Sequence, residues 1–188
     1  MNYDFDSITD RHGTHALKWE AYPEDVLPLW VADTDFAVAP PIIERIRKRI
    51  EHPVFGYTLD LPELMMAIQN RMMDRYRWEI SQEAIVLVPG IVSAINFVCR
   101  AVCGPDDSVI FQTPVYPPFF AAPANNHLRA VVNPLVYDEK EELYRIDFDD
   151  FSQKIRKDTS LFILCNPHNP VGRVFSLEEL KKLGEICC

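Results

Sequence analysis

The sequence has no apolar run of membrane-spanning length, no cationic stripe and no glycine-rich phosphate fingerprint. It has six glycines in 188 residues. Each lack excludes a class. Without about 18–20 consecutive apolar residues there is no candidate transmembrane helix. The net charge is −9, and the densest basic cluster, Arg45, Arg47, Lys48 and Arg49, is flanked by Glu44 and Glu51. That pattern is a solvated helix face rather than a nucleic-acid surface. Without G-x-G-x-x-G or a P-loop lysine motif, a dinucleotide-binding oxidoreductase is disfavoured. The polar, acidic start from Met1 to Asp10 lacks the form of a signal peptide, so a cytoplasmic protein is expected. The five cysteines, Cys99, Cys103, Cys165, Cys187 and Cys188, are odd in number and mostly in apolar settings. They read as reduced thiols, with Cys99 and Cys103 as core packing. His12 and His15 flank Gly13, which favours a turn over a metal-binding helix, and no metal site is expected.

What is present is an ordinary globular composition, 48% hydrophobic and 25% charged. Residues 1–39 are irregular and rich in aromatics, with a short strand expected over Leu27 to Ala32. Asp33 and Asp35 follow, either as an acid/base pair or as turn residues satisfying their own backbone. Pro41 opens a helix on Ile42, Ile43, Ile46 and Ile50. Asp60 with Glu63 suggests a capping box for the next helix, whose buried stripe is Leu64, Met65, Ile68, Met72 and Tyr76. Ala84 to Val88 reads as a strand buried on both faces, and Ile91 to Cys103 as a helix buried nearly all round. Strands are expected at Ser108 to Gln112, Ala130 to Leu135 and Ser160 to Cys165. Helices are expected at Pro118 to Ala124, Asp147 to Lys157 and from Ser176, where Glu179 completes a capping box. The alternation defines an α/β fold around a mostly parallel sheet.

In such sheets ligands bind beyond the carboxyl ends of the strands. Three of those ends carry unusual chemistry. Pro89-Gly90 leads straight into a helix, so the amides of Gly90, Ile91, Val92 and Ser93 form a possible phosphate site. Tyr116, between Pro114 and Pro117, offers a ring for stacking on a planar ligand. Asn169 lies in Asn166-Pro167-His168-Asn169-Pro170-Val171-Gly172, a loop stiffened by two Asn-Pro pairs. Together they suit a flat phosphorylated cofactor.

These residues resemble a known family. Asn-Pro-His-Asn-Pro-Val-Gly is similar to the Asn-Pro-Thr-Gly motif of fold-type I pyridoxal-phosphate enzymes, the aminotransferase class I/II superfamily. Arg11-His12-Gly13-Thr14, Lys18-Trp19, Trp30-Val31-Ala32-Asp33-Thr34-Asp35-Phe36 and Phe55-Gly56-Tyr57 resemble its MalY/PatB branch, the cystathionine β-lyase-like C–S lyases. The resemblance implies a three-layer α/β/α fold of the aspartate aminotransferase type, incomplete at its C-terminus. It implies that residues 1–40 belong to a small domain and 41–188 to part of a large cofactor-binding domain. Asn169 would hydrogen-bond the phenolic oxygen of pyridoxal 5′-phosphate, Tyr116 would stack on its ring, and Gly90, Ile91 and Val92 would hold its phosphate. Tyr57 would reach the partner subunit's phosphate in a homodimer, and Trp30, Val31, Ala32 and Asp33 would line the side of a small amino-acid substrate. The Schiff-base lysine would lie beyond Cys188, because Lys18, Lys181 and Lys182 have no fitting setting. The implied activity is β-elimination from cystathionine or other cysteine S-conjugates. The alternatives are an aminotransferase, or a truncated non-catalytic fragment or regulatory binding module.

Overall fold

The computed structural model describes residues 3–59 and 61–188. The capping residue expected at Asp60 therefore lies outside the described residues. The chain forms two compact units, Met1–Met65 and Met66–Cys188.

The first unit holds a short helix α1 (Leu17–Glu20), helix α2 (Pro40–Ile50) and the start of α3 (Pro62–Tyr76). Proline at the first turn of α2 removes an amide that would have no helical acceptor. Leu27 to Ala32 forms no strand. Pro28 deprives that segment of a ladder donor, and no described strand lies beside it. On α3 only Met65 is buried, Ile68 and Met72 are half-buried, and Leu64 and Tyr76 are exposed. The apolar stripe expected there is thus covered over its middle alone.

The second unit contains α4 (Ile91–Val102), β1 (Ser108–Thr113), α5 (Pro118–Asn125), β2 (Arg129–Pro134), β3 (Val136–Asp138), β4 (Leu143–Arg145), α6 (Phe148–Lys154), β5 (Thr159–Phe162) and α7 (Leu177–Cys187). β1 is the centre of a parallel three-stranded sheet of order β2-β1-β5, with Ile110 opposite Val131 on one side and Phe162 on the other. Alternation along β1 divides the core. Val109 and Phe111 pack with Cys99, Phe119 and Ala122 from α4 and α5. Ile110 packs with Phe151 and Leu183 from α6 and α7. This is a three-layer α/β/α arrangement. Parallel strands leave the sheet at one edge, so the loops after β1 and β5 emerge together.

Two strand and helix expectations fail for one reason. Ala84 to Val88 is not a strand: a 3₁₀ turn at Gln82–Ala84 precedes irregular backbone, and Val86 is 78% exposed. The helix at Ile91–Val102 forms, but only Cys99 on it is buried, and Ile91 is 71% exposed. Apolar composition reports a tendency to be covered, and no described residue covers these surfaces. The antiparallel β3–β4 pair carries no strong sequence signal. It turns at Glu142 (φ 51°), and the Asp138 carboxylate accepts the amides of Lys140 and Glu141. The Ser176–Glu179 capping box forms as the sequence predicts, with both reciprocal hydrogen bonds present.

Candidate functional site

Gly90 is the N-cap of α4, at φ 96° and ψ 162°. That region is open essentially to glycine alone. A methyl group there would meet nothing within 4 Å, so backbone conformation, not space, calls for glycine. The Gly90 amide donates to the Val88 carbonyl at 2.8 Å, and the first helical bond runs from Ala94 N–H to Gly90 O at 3.0 Å. The amides of Ile91, Val92 and Ser93 stand ahead of that first bond. Gly90's own amide is not free, which corrects the sequence expectation of four available donors.

The loop after β1 is anchored by Leu135 N–H, which donates to Thr113 O at 2.7 Å, and by Val115, which is buried in the core. Tyr116, directly after Val115, is 41% exposed. The loop after β5 contains cis bonds before Pro167 and Pro170, as the β1 loop does before Pro114. Asn166 and Asn169 have different fates. Asn166 Oδ1 accepts the Phe175 amide at 3.1 Å, and so braces the loop. Asn169 is exposed; its backbone amide points to Cys165 Sγ at 3.4 Å, and its side-chain amide makes no hydrogen bond among the described residues. Gly172 adopts φ 67°, which lets the chain turn back.

Sequence reasoning missed two residues of this loop. Arg173 donates to the Tyr144 carbonyl at 2.8 Å and the Val174 carbonyl at 2.7 Å, and pairs with Glu179, tying the loop to β4 and α7. His168 is fully buried, and its Nε2 lies 2.8 Å from the Pro114 carbonyl. A histidine between two Asn-Pro pairs was the available signal.

In the first unit, Asp33 and Asp35 are neither an acid/base pair nor self-satisfied turn residues. Asp35 accepts from Lys18 Nζ at 2.6 Å, Arg11 at 2.7 Å and the Trp19 indole at 2.8 Å. The hydrogen bond from Lys18, followed by those from Trp19 and Arg11, holds its carboxyl far below the usual carboxylate range. Asp33 pairs with Arg11 at 2.7 Å, while Lys18 also reaches the Asp33 carbonyl at 3.0 Å. Trp30 is half exposed, with its indole N–H 3.4 Å from the Lys18 carbonyl; Val31 is half-buried and Ala32 exposed. Tyr57 is fully exposed. His12 belongs to a turn with Gly13 at φ 70°, and its Nδ1 lies 2.8 Å from Asp10. Lys18 is thus committed. On α7, Lys181 pairs with Glu178 at 3.5 Å, and Lys182 sits 4.2 Å over the Phe148 ring.

A parallel sheet flanked by helices is shared with solved pyridoxal-phosphate-dependent proteins of the aminotransferase fold. The sequence matches the family described as "Aminotransferase class I and II" over residues 24–188, and the chain belongs to that family. It is 40% identical over 190 residues to cystathionine beta-lyase PatB of Bacillus subtilis (strain 168), covering 98% of this chain and 49% of that protein. Cystalysin from Treponema denticola, solved with pyridoxal 5′-phosphate, superposes with a TM-score of 0.89 at 34% identity, over 99% of this chain and 49% of that one. The PLP-bound C–S lyase from Staphylococcus hominis gives a TM-score of 0.87 at 38% identity, over 98% and 48%. The branch assignment made from the N-terminal motifs is borne out by these relatives. The chain spans about half the length of the curated relatives it matches.

Proposed function

We propose that this chain is the cofactor-loop half of a pyridoxal-phosphate-dependent C–S β-lyase. The overall reaction converts a cysteine S-conjugate such as cystathionine, with water, into a thiol, pyruvate and ammonia. The observation that carries this reading is a division of labour at the sheet's carboxyl edge. In the loop after β5, Asn166, His168 and Arg173 are hydrogen-bonded, while the Asn169 side-chain amide has no hydrogen-bond partner among the described residues, and in the loop after β1 the Tyr116 ring stays exposed. The amides of Ile91 and Val92 stand ahead of the first helical bond. A neutral donor, a flat ring and a helix N-terminus fit a planar anionic group with an oxygen substituent.

Pyridoxal 5′-phosphate supplies an electron sink for bond cleavage next to an amino acid's α-carbon. In our reading Asn169 donates to the ring oxygen and Tyr116 covers the ring face. Ile91 and Val92 hold the phosphate, with Gly90 setting the entry into α4. Tyr57 serves the partner subunit of a homodimer, and Trp30 to Asp33 line the substrate side, held by the Arg11–Lys18–Asp35 network. Residues 1–40 are assigned to the small domain and 41–188 to the large one. The covalent lysine is assigned outside these residues. No described helix is long and apolar enough to cross a membrane, and a cytoplasmic setting fits the reading.

The test uses the intact protein with added pyridoxal 5′-phosphate and cystathionine. Pyruvate is followed by coupled reduction and thiol by a thiol-reactive dye; equal release of both is expected. Amino transfer to a 2-oxo acid with neither product released would overturn the lyase reading in favour of an aminotransferase.

A further inference from the structure

The two loops that carry Tyr116 and Asn169 leave adjacent strands, yet adjacency alone does not fix one against the other. Among the described residues, a single hydrogen bond joins residues 113–117 to residues 166–173: His168 Nε2 to the Pro114 carbonyl, at 2.8 Å. The imidazole is buried. Its ring is 1% exposed and lies edge-on to Phe175, with centroids 5.7 Å apart. Its backbone amide donates to Arg173 O at 2.7 Å, and its carbonyl accepts from Gly172 N–H at 2.8 Å. The loop is thereby closed on itself at the residue before Asn169. Across the clamp, Pro114 is two residues from Tyr116.

A carbonyl can only accept, so the bond requires the proton on Nε2. Nδ1 is then left, among the described residues, without a partner in a buried setting. A phenyl ring would fill the same space with no buried nitrogen unpaired, so filling the core does not explain an imidazole here. What the imidazole adds is the link to Pro114.

We propose that His168 is a positioning residue. It clamps the β5 loop to the β1 loop, so that the Asn169 amide and the Tyr116 ring meet a flat ligand in one fixed relation. The ligand role rests on the cofactor reading above; the clamp itself does not.

The experiment compares wild type, His168→Phe and His168→Gln in the intact protein. Gln carries its amide nitrogen the same number of bonds from Cα as the histidine Nε2, and so can restore the donor. Hydrogen exchange is measured first without cofactor. In His168→Phe, exchange should rise about tenfold in both 113–117 and 166–173, and return to near the wild-type rate in His168→Gln. A rise confined to 166–173, or no recovery with Gln, would overturn the clamp. Nitrogen NMR of wild type gives a check that needs no folded variant: the Nε2–H tautomer is expected, and the Nδ1–H tautomer would sink the proposal. Affinity for pyridoxal 5′-phosphate should fall about tenfold in the Phe variant and recover with Gln. Unchanged affinity in a Phe variant whose two loops have both loosened would show that the clamp does not position the ligand groups. Failure of wild type to bind the cofactor would remove the cofactor reading and leave the exchange and tautomer results to decide the clamp.

Discussion

Replacing Gly90 with alanine isolates what the turn into α4 contributes. At φ 96° and ψ 162° the residue lies where a side chain is strained by about 1–3 kcal/mol. Nothing lies within 4 Å of the added methyl group, so no steric clash contributes, and conformation supplies the whole effect. The chain has two responses. It can keep the turn and carry the strain as lost stability. It can instead relax the turn, breaking the Gly90–Val88 bond and re-aiming the amides of Ile91 and Val92. A loss of 1–3 kcal/mol corresponds to roughly a five- to 150-fold change in an equilibrium constant. That change should be read in the unfolding midpoint, in the affinity for pyridoxal 5′-phosphate, or divided between them. Gly184 provides the matched control. It lies inside α7 with equally open surroundings, so Gly184→Ala should stabilise by about 0.5–1 kcal/mol. Denaturant titration and fluorescence binding measure both quantities on both variants. If Gly90→Ala changes neither, or behaves like Gly184→Ala, the reasoning about this turn is wrong.

Further expectations concern groups whose partners are known. Asn166→Ala should cost about 1–3 kcal/mol of stability, because the Phe175 amide loses its acceptor, whereas Asn169→Ala should leave stability nearly unchanged and weaken cofactor binding; equal thermal shifts in the two variants would contradict this. Asp35 has a depressed pKa, so its contribution is complete above the ordinary carboxylate range and is lost only as pH falls towards its own lower value. The Trp19 indole N–H resonance should therefore hold its position from pH 8 to about pH 4 and move only in stronger acid. The 188-residue chain alone, with Ile91, Phe97 and Val102 on α4 each at least half exposed, should bind an apolar-surface dye and self-associate; Phe97→Lys with Val102→Lys should reduce both. A monomeric, dye-silent chain would refute that expectation.

Much of the second unit was legible because its signals are local. The run Ser108 to Gln112 is the sheet's central strand, Ser176 and Glu179 cap α7, and proline marks the start of α5. Propensity, capping and turn chemistry act within a few residues, and spacing records them. Burial is different. Ala84 to Val88 and Ile91 to Val102 have the composition of covered elements, but covering depends on what packs against them, and composition cannot name that. The β3–β4 pair was missed because three-residue strands carry too little alternation to register. Asp35 was misread because its partners, Lys18, Trp19 and Arg11, lie 16 to 24 residues earlier, beyond any local pattern.

The same limit separates the two asparagines of the Asn-Pro loop. Both precede a proline in the cis form and both are exposed, so local sequence gives them one description. Tertiary contact divides them. Asn166 spends its carbonyl on the Phe175 amide, and with Arg173 and His168 it fixes the loop to α7, to β4 and to the loop after β1. Asn169 is attached to those fixed points yet makes no side-chain bond of its own among the described residues. A rigid backbone bearing an unpaired amide is an arrangement that folding alone does not require, since an exposed amide is equally well served by water. It is what recognition of a ligand oxygen requires, because the donor is already oriented and little is lost in ordering it when the ligand arrives. On the cofactor reading proposed above, the functional content of the motif lies less in its asparagines as residue types than in which of them the rest of the fold leaves unused.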